Sequence, residues 1–293
     1  MDLPARADIR HGHVGLGRRL DLAAEAPAQG WLLTLAERGA TVHVPAGWSS
    51  VWVLLRGEVQ AGTAFVGIGL GRGDMLGWSD GPLQLGSHRD GWLLGLAAPT
   101  ALWRPGPTRH WGRPRLVHSR RCPATRDVRR LLVRLGRACR AGTGATPVLL
   151  QSLLDAVYES QADLETWLQR CSGQNPARKE YTLQRLLRAR NVLEHSHGVT
   201  DGIAHLADIA RFSVTHFKRT YRDVFGISPG EHALQLRTAH TWKLVTSTSL
   251  PISDVCEAVG FESKSAFCRT FRRSFGITTS EARARGRPAL AGA

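Results

Sequence analysis

The chain has 293 residues, of which 42% are hydrophobic, and its formal net charge is +15 at neutral pH. This length favours two domains, and the hydrophobic fraction is too high for a disordered chain. The sequence contains no run of eighteen apolar residues, which argues against a membrane span, and its first twenty residues lack the continuous apolar stretch of a secretory signal. Its five cysteines are scattered and form no CxxC pair, which favours a reducing cytoplasm without structural zinc.

The positive charge is concentrated in two regions. Residues 104–140 contain twelve arginines and one acid, Asp127, and the residues from Tyr181 onward contain sixteen Lys and Arg against nine Asp and Glu. Such blocks suit a polyanionic partner, and nucleic acid is the first candidate. For residues 104–140 a solvated basic surface is the alternative, because the sequence does not say whether this segment touches DNA, RNA polymerase, an effector or solvent.

The first part of the chain has the pattern of a β-rich domain. From about residue 30 to 104, short apolar runs alternate with Gly and Pro, which predicts the strands and turns of a β-sandwich or barrel. Six of the nine tryptophans lie in this region, where packing in the strand core is favoured over an aromatic-lined ligand pocket. The candidate residues for such an effector pocket are Trp48, Trp52, Trp78 and His43. His43 and His88 form no HxH pair, so no metal and no other cofactor is expected.

Two amphipathic helical patterns follow the β-rich region. The first spaces Val128, Leu131, Leu132 and Leu135 on one stripe, and the second begins near Pro147 and continues to about residue 171. These helices either form a dimerisation element or pack on their own domain, and the sequence favours neither alternative. Gly, Asn and Pro in residues 172–180 indicate a linker. The predicted domains are therefore residues 1–171 and 181–293.

An internal repeat dominates the second predicted domain. "FSVTHFKRTYRDVFGIS" (Phe212–Ser228) and "ESKSAFCRTFRRSFGIT" (Glu262–Thr278) share eight identical residues at an offset of fifty. Each copy follows a short helical pattern and a turn, so the prediction is two helix-turn-helix units at about residues 203–225 and 252–275. A repeat of this kind makes each unit far more specific than a single match would be.

The second helix of each unit has the residues that reading DNA requires. A helix fits the major groove, where the residues near its N-terminus reach base edges and cations further along meet phosphates. The candidate phosphate contacts are Ser213, Arg222, Arg272 and Arg273. A connecting helix of roughly twenty residues would be about 30 Å long, close to the ~34 Å between successive major-groove faces of one duplex.

These motifs identify a resemblance that covers a little over a third of the chain. Residues 181–287 resemble the DNA-binding domain of the AraC/XylS family of bacterial transcription regulators, through "SVTHFKRTYRDVFGISP" and "GFESKSAFCRTFRRSFGIT". The sequence departs from that family at Arg211, where glycine is common, so a left-handed backbone would be costly there. The resemblance implies that seven residues read bases: Thr215, Lys218, Arg219, Lys264, Ser265, Cys268 and Arg269.

The resemblance also implies the architecture and partners of the whole chain. Its members often carry a cupin-like β-barrel with following helices, and "VWVLLRGEVQ" and "GLGRGDMLGW" resemble cupin strands. The expected fold is thus α+β, with this N-terminal domain before an all-α domain. The expected function is a cytoplasmic, effector-responsive activator that is not an enzyme and acts as a homodimer on double-stranded DNA with RNA polymerase. The alternatives are a cupin-type enzyme fused to a DNA-binding module and a non-specific architectural DNA-binding protein.

Overall fold

The computed structural model describes residues 9–25, 31–87, 91–103, 117–142 and 146–286. Strands and helices both occur in these ranges, so the predicted α+β class is confirmed. The strands are β1 Ile9–Val14, β2 Arg19–Asp21, β3 Trp31–Ala36, β4 Thr41–Val44, β5 Trp48–Arg56, β6 Val59–Gly62, β7 Gly67–Leu70, β8 Asp74–Trp78, β9 Leu83–Ser87, β10 Trp92–Pro99 and β11 Arg120–Pro123. The helices are α1 Leu22–Glu25, α2 Arg126–Ala141, α3 Thr146–Glu159, α4 Leu164–Arg170, α5 Pro176–His195, α6 Ile203–Ile209, α7 Val214–Phe225, α8 Pro229–Ser247, α9 Ile252–Ala258, α10 Lys264–Phe275 and α11 Thr279–Gly286.

The strands form two sheets. One has the order β1-β3-β10-β5-β8-β11, and the other has the order β2-β4-β9-β6-β7. Neither sheet closes on itself within the described ranges, so the closed cupin-like barrel is not confirmed and the sandwich alternative describes the hydrogen bonding. Two stacked sheets bury their facing side chains, which accounts for an apolar core between them.

Strand β5 is buried on both faces because it separates two cores. Trp52 and Leu54 point between the sheets, whereas Val51 and Val53 point toward α2 and α3 on the outer side of the six-stranded sheet. Such alternation follows from the two-residue period of a strand. Gly95 on β10 makes room for the indole, because a Cβ there would lie 2.0 Å from the Trp52 ring.

Helices α2 and α3 pack on their own sheet, which was one of the two alternatives for this helix pair. Val128, Leu132 and Leu135 of α2 are buried with Leu150 and Leu153 of α3 in the core outside the six-stranded sheet. The opposite side of α2 presents five arginines that line one open recess: Arg126, Arg129, Arg130, Arg134 and Arg137.

The second predicted helical pattern is divided in two, and its end joins the C-terminal helices. The chain turns between Glu159 and Leu164, and α4 then buries Leu164 and Leu168 against α5 and α7. The predicted N-terminal domain, residues 1–171, therefore includes a helix that packs elsewhere. The predicted linker, residues 172–180, is also shorter than expected, because α5 begins at Pro176 after the cap Asn175.

The C-terminal helices enclose two separate cores. The larger core contains Phe217 and Tyr221 of α7 and the apolar stripe of α5, and the smaller one contains Phe267 and Phe271 of α10. Helix α8 contributes Ala233 near its start to the first core and Val245 near its end to the second. The two helix-turn-helix units thus have independent cores joined by one helix.

Candidate nucleic-acid interface

Helices α7 and α10 have the same caps. Ser213 and Ser263 have extended backbone, and each hydroxyl accepts a hydrogen bond from the amide three residues later, at 3.4 and 3.3 Å. A serine in this position satisfies an amide that the first helical turn leaves unpaired. Both helices end at a left-handed glycine, Gly226 at φ 75° and Gly276 at φ 73°. The caps lie where the repeat predicts them, so both helices present the same length and face.

The outer faces carry most of the residues predicted to read bases. Six of the seven are exposed: Thr215, Lys218 and Arg219 on α7, and Lys264, Ser265 and Arg269 on α10. Cys268 is half-buried and packs against the core of Phe267 and Phe271, which leaves less of it for an external contact. We call α7 and α10 the reader helices.

The side chains predicted to contact phosphates differ in whether they already form hydrogen bonds within the chain. Arg222, Arg272 and Arg273 are exposed in the last turns of the reader helices. The hydroxyl oxygen of Ser213 already accepts the capping hydrogen bond. Its proton can still donate a hydrogen bond to a phosphate oxygen.

The cations on the reader helices form no close ion pair among the described residues. In the part of the chain that the structure describes, none of seven forms an ion pair: Lys218, Arg219, Arg222, Lys264, Arg269, Arg272 and Arg273. Lys218, Arg219 and Arg222 line an open recess at the start of α8, and Asp223 is the one acid among the described residues that lines it with them. Unpaired cations along one face are what a phosphate backbone neutralises.

The turn of the first unit contains a strained residue. Arg211 lies between α6 and α7 with φ 56°, a left-handed conformation that disfavours residues with a Cβ. The preceding carbonyls are held from α5: the Arg185 Nε donates to Ala210 O at 2.7 Å, and the Arg188 Nη1 donates to Ile209 O at 3.4 Å. The Arg185 guanidinium also lies 3.7 Å from the centre of the Phe212 ring.

The turn of the second unit is built differently. Gly260 takes the left-handed position with φ 77°, and the Cys256 Sγ donates to Phe261 O at 3.3 Å. Glycine adopts this backbone without the steric cost that Arg211 bears. The repeat therefore preserves the reader helices and changes the turn that precedes them.

Helix α8 connects the units and starts with a full capping box. Ser228 and Glu231 exchange hydrogen bonds, and Pro229 occupies the first turn. In the first turn of α8, the Nδ1 atom of His232 lies 2.7 Å from the Tyr221 hydroxyl of α7 in a buried contact. Burial lowers the pKa of His232 and raises the pKa of Tyr221, so both groups are neutral at pH 7.

The structure brings together three of the four candidate effector residues. Trp48, Trp52 and Trp78 pack in the core between the sheets, where the Trp52 Nε1 donates to Ser50 Oγ and the Trp78 Nε1 donates to Gly81 O. His43 lies on the other face of β4 from the buried Val42 and Val44, with its Nδ1 3.4 Å from an Asp21 carboxylate oxygen. The tryptophans therefore pack as core residues, and His43 is not beside them.

Sequence reasoning missed the residues that support the first turn. Arg185 and Arg188 flank the buried leucines in the middle of α5, and their three-residue spacing places both on one face. That spacing was the available signal, but it could not reveal that one of them reaches Asp80, more than a hundred residues earlier.

The described residues contain neither a metal-binding cluster nor a membrane-spanning helix. No group of three or more His, Cys, Asp or Glu there is arranged to hold a metal ion. No helix in the same ranges is long and apolar enough to cross a lipid bilayer.

The C-terminal helices are similar to known helix-turn-helix proteins. Residues 206–285 match the family model described as a helix-turn-helix domain. The RCS-specific HTH-type transcriptional activator RclR of Escherichia coli is 35% identical over 85 residues, which are 29% of this chain and 30% of that protein. The HTH-type transcriptional regulator ExsA of Pseudomonas aeruginosa is 32% identical over 81 residues, which are 27% of this chain and 29% of that protein. The match thus spans about a third or less of these curated relatives.

Among solved structures, an AraC-type DNA-binding protein from Chromobacterium violaceum is 27% identical to this chain. That comparison covers 38% of this chain and 97% of the other, with a TM-score of 0.32.

Proposed function

We propose that this chain is a sequence-specific transcription regulator, built on the AraC-type helix-turn-helix domain that residues 206–285 form. The observation that carries the proposal is the pair of reader helices with matching caps and unpaired basic outer faces. Curated relatives of this domain include proteins named transcriptional activators, which supports activation as the direction of control.

Each reader helix would enter the major groove of one duplex with its N-terminal half. Arg219 and Arg269 occupy equivalent positions and are the side chains suited to donating two hydrogen bonds to a guanine. Lys218 and Lys264 would add base or phosphate contacts, while Arg222, Arg272 and Arg273 would hold phosphates and so set the register of each helix. The half-buried Cys268 would offer a small contact surface beside Lys264 and Arg269 on α10.

The connecting helix suits reading of adjacent grooves. Helix α8 has 19 residues, which corresponds to about 28 Å at 1.5 Å per residue. Successive major-groove faces of one duplex are ~34 Å apart, so the two reader helices would contact blocks about ten base pairs apart. One chain could then recognise a bipartite site without a second copy.

The N-terminal residues would supply regulation rather than catalysis. Cupins include folds built from two sheets, so a cupin-like sandwich that senses a small effector is compatible with the observed strand order. We place the division between the two parts at residues 172–175, before α5, with α4 packed on the C-terminal side. Dimerisation through the N-terminal part, contact with RNA polymerase and a cytoplasmic location belong to the same proposal.

The five-arginine face of α2 limits where two copies could meet. Arg126, Arg129, Arg130, Arg134 and Arg137 share one open face, and the same face of a second copy would repel it. A homodimer would therefore use another surface of the N-terminal part.

Selection of duplexes from random DNA by the purified chain, at about 0.15 M salt, tests the proposed function. The expected result is a motif of two blocks about ten base pairs apart, bound at least about a thousandfold more tightly than random DNA. The matched control is the double variant Arg219→Ala/Arg269→Ala, which keeps five of the seven cations and should lose the motif. Equal affinity for every duplex would refute the proposal and leave a non-specific DNA-binding protein.

A further inference from the structure

A buried ion pair joins the sheets to the first helix-turn-helix unit. The Arg188 Nε on α5 donates to the Asp80 Oδ2 at 2.6 Å, and its Nη2 donates to the other carboxylate oxygen. Asp80 lies in the loop after β8, and its side chain is only 5% exposed. The hydrogen bonds that Arg188 donates to Asp80 raise the pKa of Arg188. A two-bond guanidinium–carboxylate pair of this kind constrains direction as well as distance.

The same guanidinium also reaches the turn before the first reader helix. The Arg188 Nη1 donates to Ile209 O at 3.4 Å, and neighbouring Arg185 donates to Ala210 O at 2.7 Å. These two carbonyls immediately precede Arg211, whose left-handed backbone makes the turn costly to maintain. Asp80 therefore orients a side chain that holds the strained turn, and the turn sets where α7 begins.

On its other side, the Asp80 loop is fixed by the core between the sheets. The Trp78 indole, buried in that core, donates to Gly81 O at 3.0 Å, one residue after Asp80. Gln184 of α5 donates to Ser79 O at 3.2 Å, and Asn191 of α5 donates to Ser119 O at 2.7 Å. Unbroken contacts thus run from the tryptophan core through Gly81, Asp80 and Arg188 to the first turn.

The second helix-turn-helix unit has no equivalent contact. Within the described ranges, no hydrogen bond or ion pair joins residues 248–286 to residues 9–142. Its turn depends on Gly260 and on the Cys256 thiol, both inside the unit. A displacement of the Asp80 loop would therefore reach α7 and leave α10 in place.

We propose that Asp80 is a positioning residue for DNA reading: through Arg188 it sets how well the first reader helix recognises its block, without affecting the second. This rests on the proposed function and adds to it an asymmetry between the two units. A change in the core around Trp78 would then alter affinity for one block of the site. A loop and a turn that share one guanidinium give the two parts of the chain an energetic coupling.

The test uses the full chain and three duplexes: the selected two-block site and the same site with either block scrambled. The block read by α7 is identified as the one whose scrambling no longer matters in Arg219→Ala. In Asp80→Asn, the preference for an intact first block should fall about tenfold, which lies within the usual range of coupling between sites. The preference for an intact second block should stay within twofold of wild type, which also shows that the variant is folded.

Two controls separate positioning from a general loss of structure. Asp163→Asn removes a carboxylate that pairs with Arg120 at an exposed site, and both block preferences should stay unchanged. Arg188→Gln should reproduce the Asp80→Asn result, and the double variant should show no further loss, because both residues act through one contact.

The outcomes are distinguishable. Equal loss at both blocks, or no loss at either, overturns the role of Asp80 while leaving the proposed function intact. A further loss in the double variant beyond that of Arg188→Gln also overturns it. If wild type prefers neither block, the proposed function itself fails, and the inference fails with it.

Discussion

The two helix-turn-helix units share the sequence of their reader helices and differ in what supports them. Ser213 and Gly226 of the first unit correspond to Ser263 and Gly276 of the second, with the same cap geometry. The first unit packs against α4, α5 and α8, and α5 is tied to the loop after β8 through Arg188, whereas the second unit packs mainly against α8 and α11 among the described elements. The part of the sequence that would read DNA is thus copied, and the part that would be regulated is not.

The supporting residues differ in chemistry as well. The first unit and its neighbouring helices contain six histidines between residues 195 and 240, whereas the sequence has none after His240. The stacked rings of His197 and His240, 3.9 Å apart, join the turn after α5 to α8 beside the first unit. The second core contains no histidine, and Trp242 packs 4.9 Å from Phe275 beside it. Acid should therefore act on the two units unequally.

The largest effect is expected when the core phenylalanine of one unit is replaced by alanine. Phe217 and Phe267 are 0% and 1% exposed, and Phe→Ala at such sites costs about 3–5 kcal/mol of stability. Each substitution should abolish recognition of its own block, because each unit has its own core. Chemical denaturation and binding to the block-scrambled duplexes measure the two effects. Val214→Ala, at an exposed position of α7, is the control and should change stability by less than about 0.5 kcal/mol.

A loss of both blocks from either Phe→Ala variant would contradict the view that the two cores are independent.

Substitutions of the turn residues Arg211 and Gly260 should have a smaller effect on stability. Arg211→Gly should stabilise the chain by about 0.5–1 kcal/mol, because relief of the left-handed strain exceeds the added flexibility of the unfolded chain. Gly260→Ala should destabilise it by about 1 kcal/mol. A Cβ at Gly260 would meet Val199 at 3.9 Å, an ordinary contact, so the cost there comes from the backbone alone. Thermal unfolding of both variants measures the difference, and destabilisation by Arg211→Gly would show that the arginine side chain matters more than the strain.

The smallest expected effect is the response of the first unit to acid. Burial lowers the pKa of His232 and of His240, so both are neutral in the folded chain at pH 7, while in the unfolded chain each has its ordinary pKa near 6.5. The unfolded chain therefore binds protons first. The stability that depends on these low folded pKa values is present above the unfolded pKa near 6.5 and is lost as the pH falls from there through the lower folded pKa.

Amide hydrogen exchange at pH 7 and pH 5.5 measures this response. Protection should fall in α7 and the first half of α8 and change little in α10, whose unit contains no histidine. An equal fall in α7 and α10 would contradict the assignment to these histidines. His232→Gln should reduce the fall in α7, because it removes one of the titrating groups.

Local sequence patterns predicted the reader helices well because their determinants are local. Serine caps, terminal glycines and phenylalanines at helical spacing lie within seventeen residues in each copy. Arg211, where the resemblance implied that a left-handed backbone would be costly, has that conformation. Patterns of this range could not predict the break between α3 and α4, because residues 160–163 contain neither proline nor glycine.

Features that depend on distant parts of the chain were beyond the sequence pattern. The order of strands in two sheets depends on pairings such as β3 with β10, which are about sixty residues apart. The pair of Asp80 and Arg188 joins residues separated by 108 positions, and neither residue has a local signal for it. Composition favoured core packing for the tryptophans, and Trp52 and Trp78 lie in the core between the sheets, but which sheet faces they would occupy depended on the strand order.

The most direct test of the account is to select binding sites in parallel for wild type, Arg219→Ala and Arg269→Ala at about 0.15 M salt, where non-specific binding is weakened. The account predicts that wild type selects two blocks and that each variant loses base preference in a different single block, by about 1–3 kcal/mol at the affected base pair. Loss of both blocks in either variant, or an unchanged motif in both, would contradict the claim that one chain reads two adjacent segments with two equivalent helices.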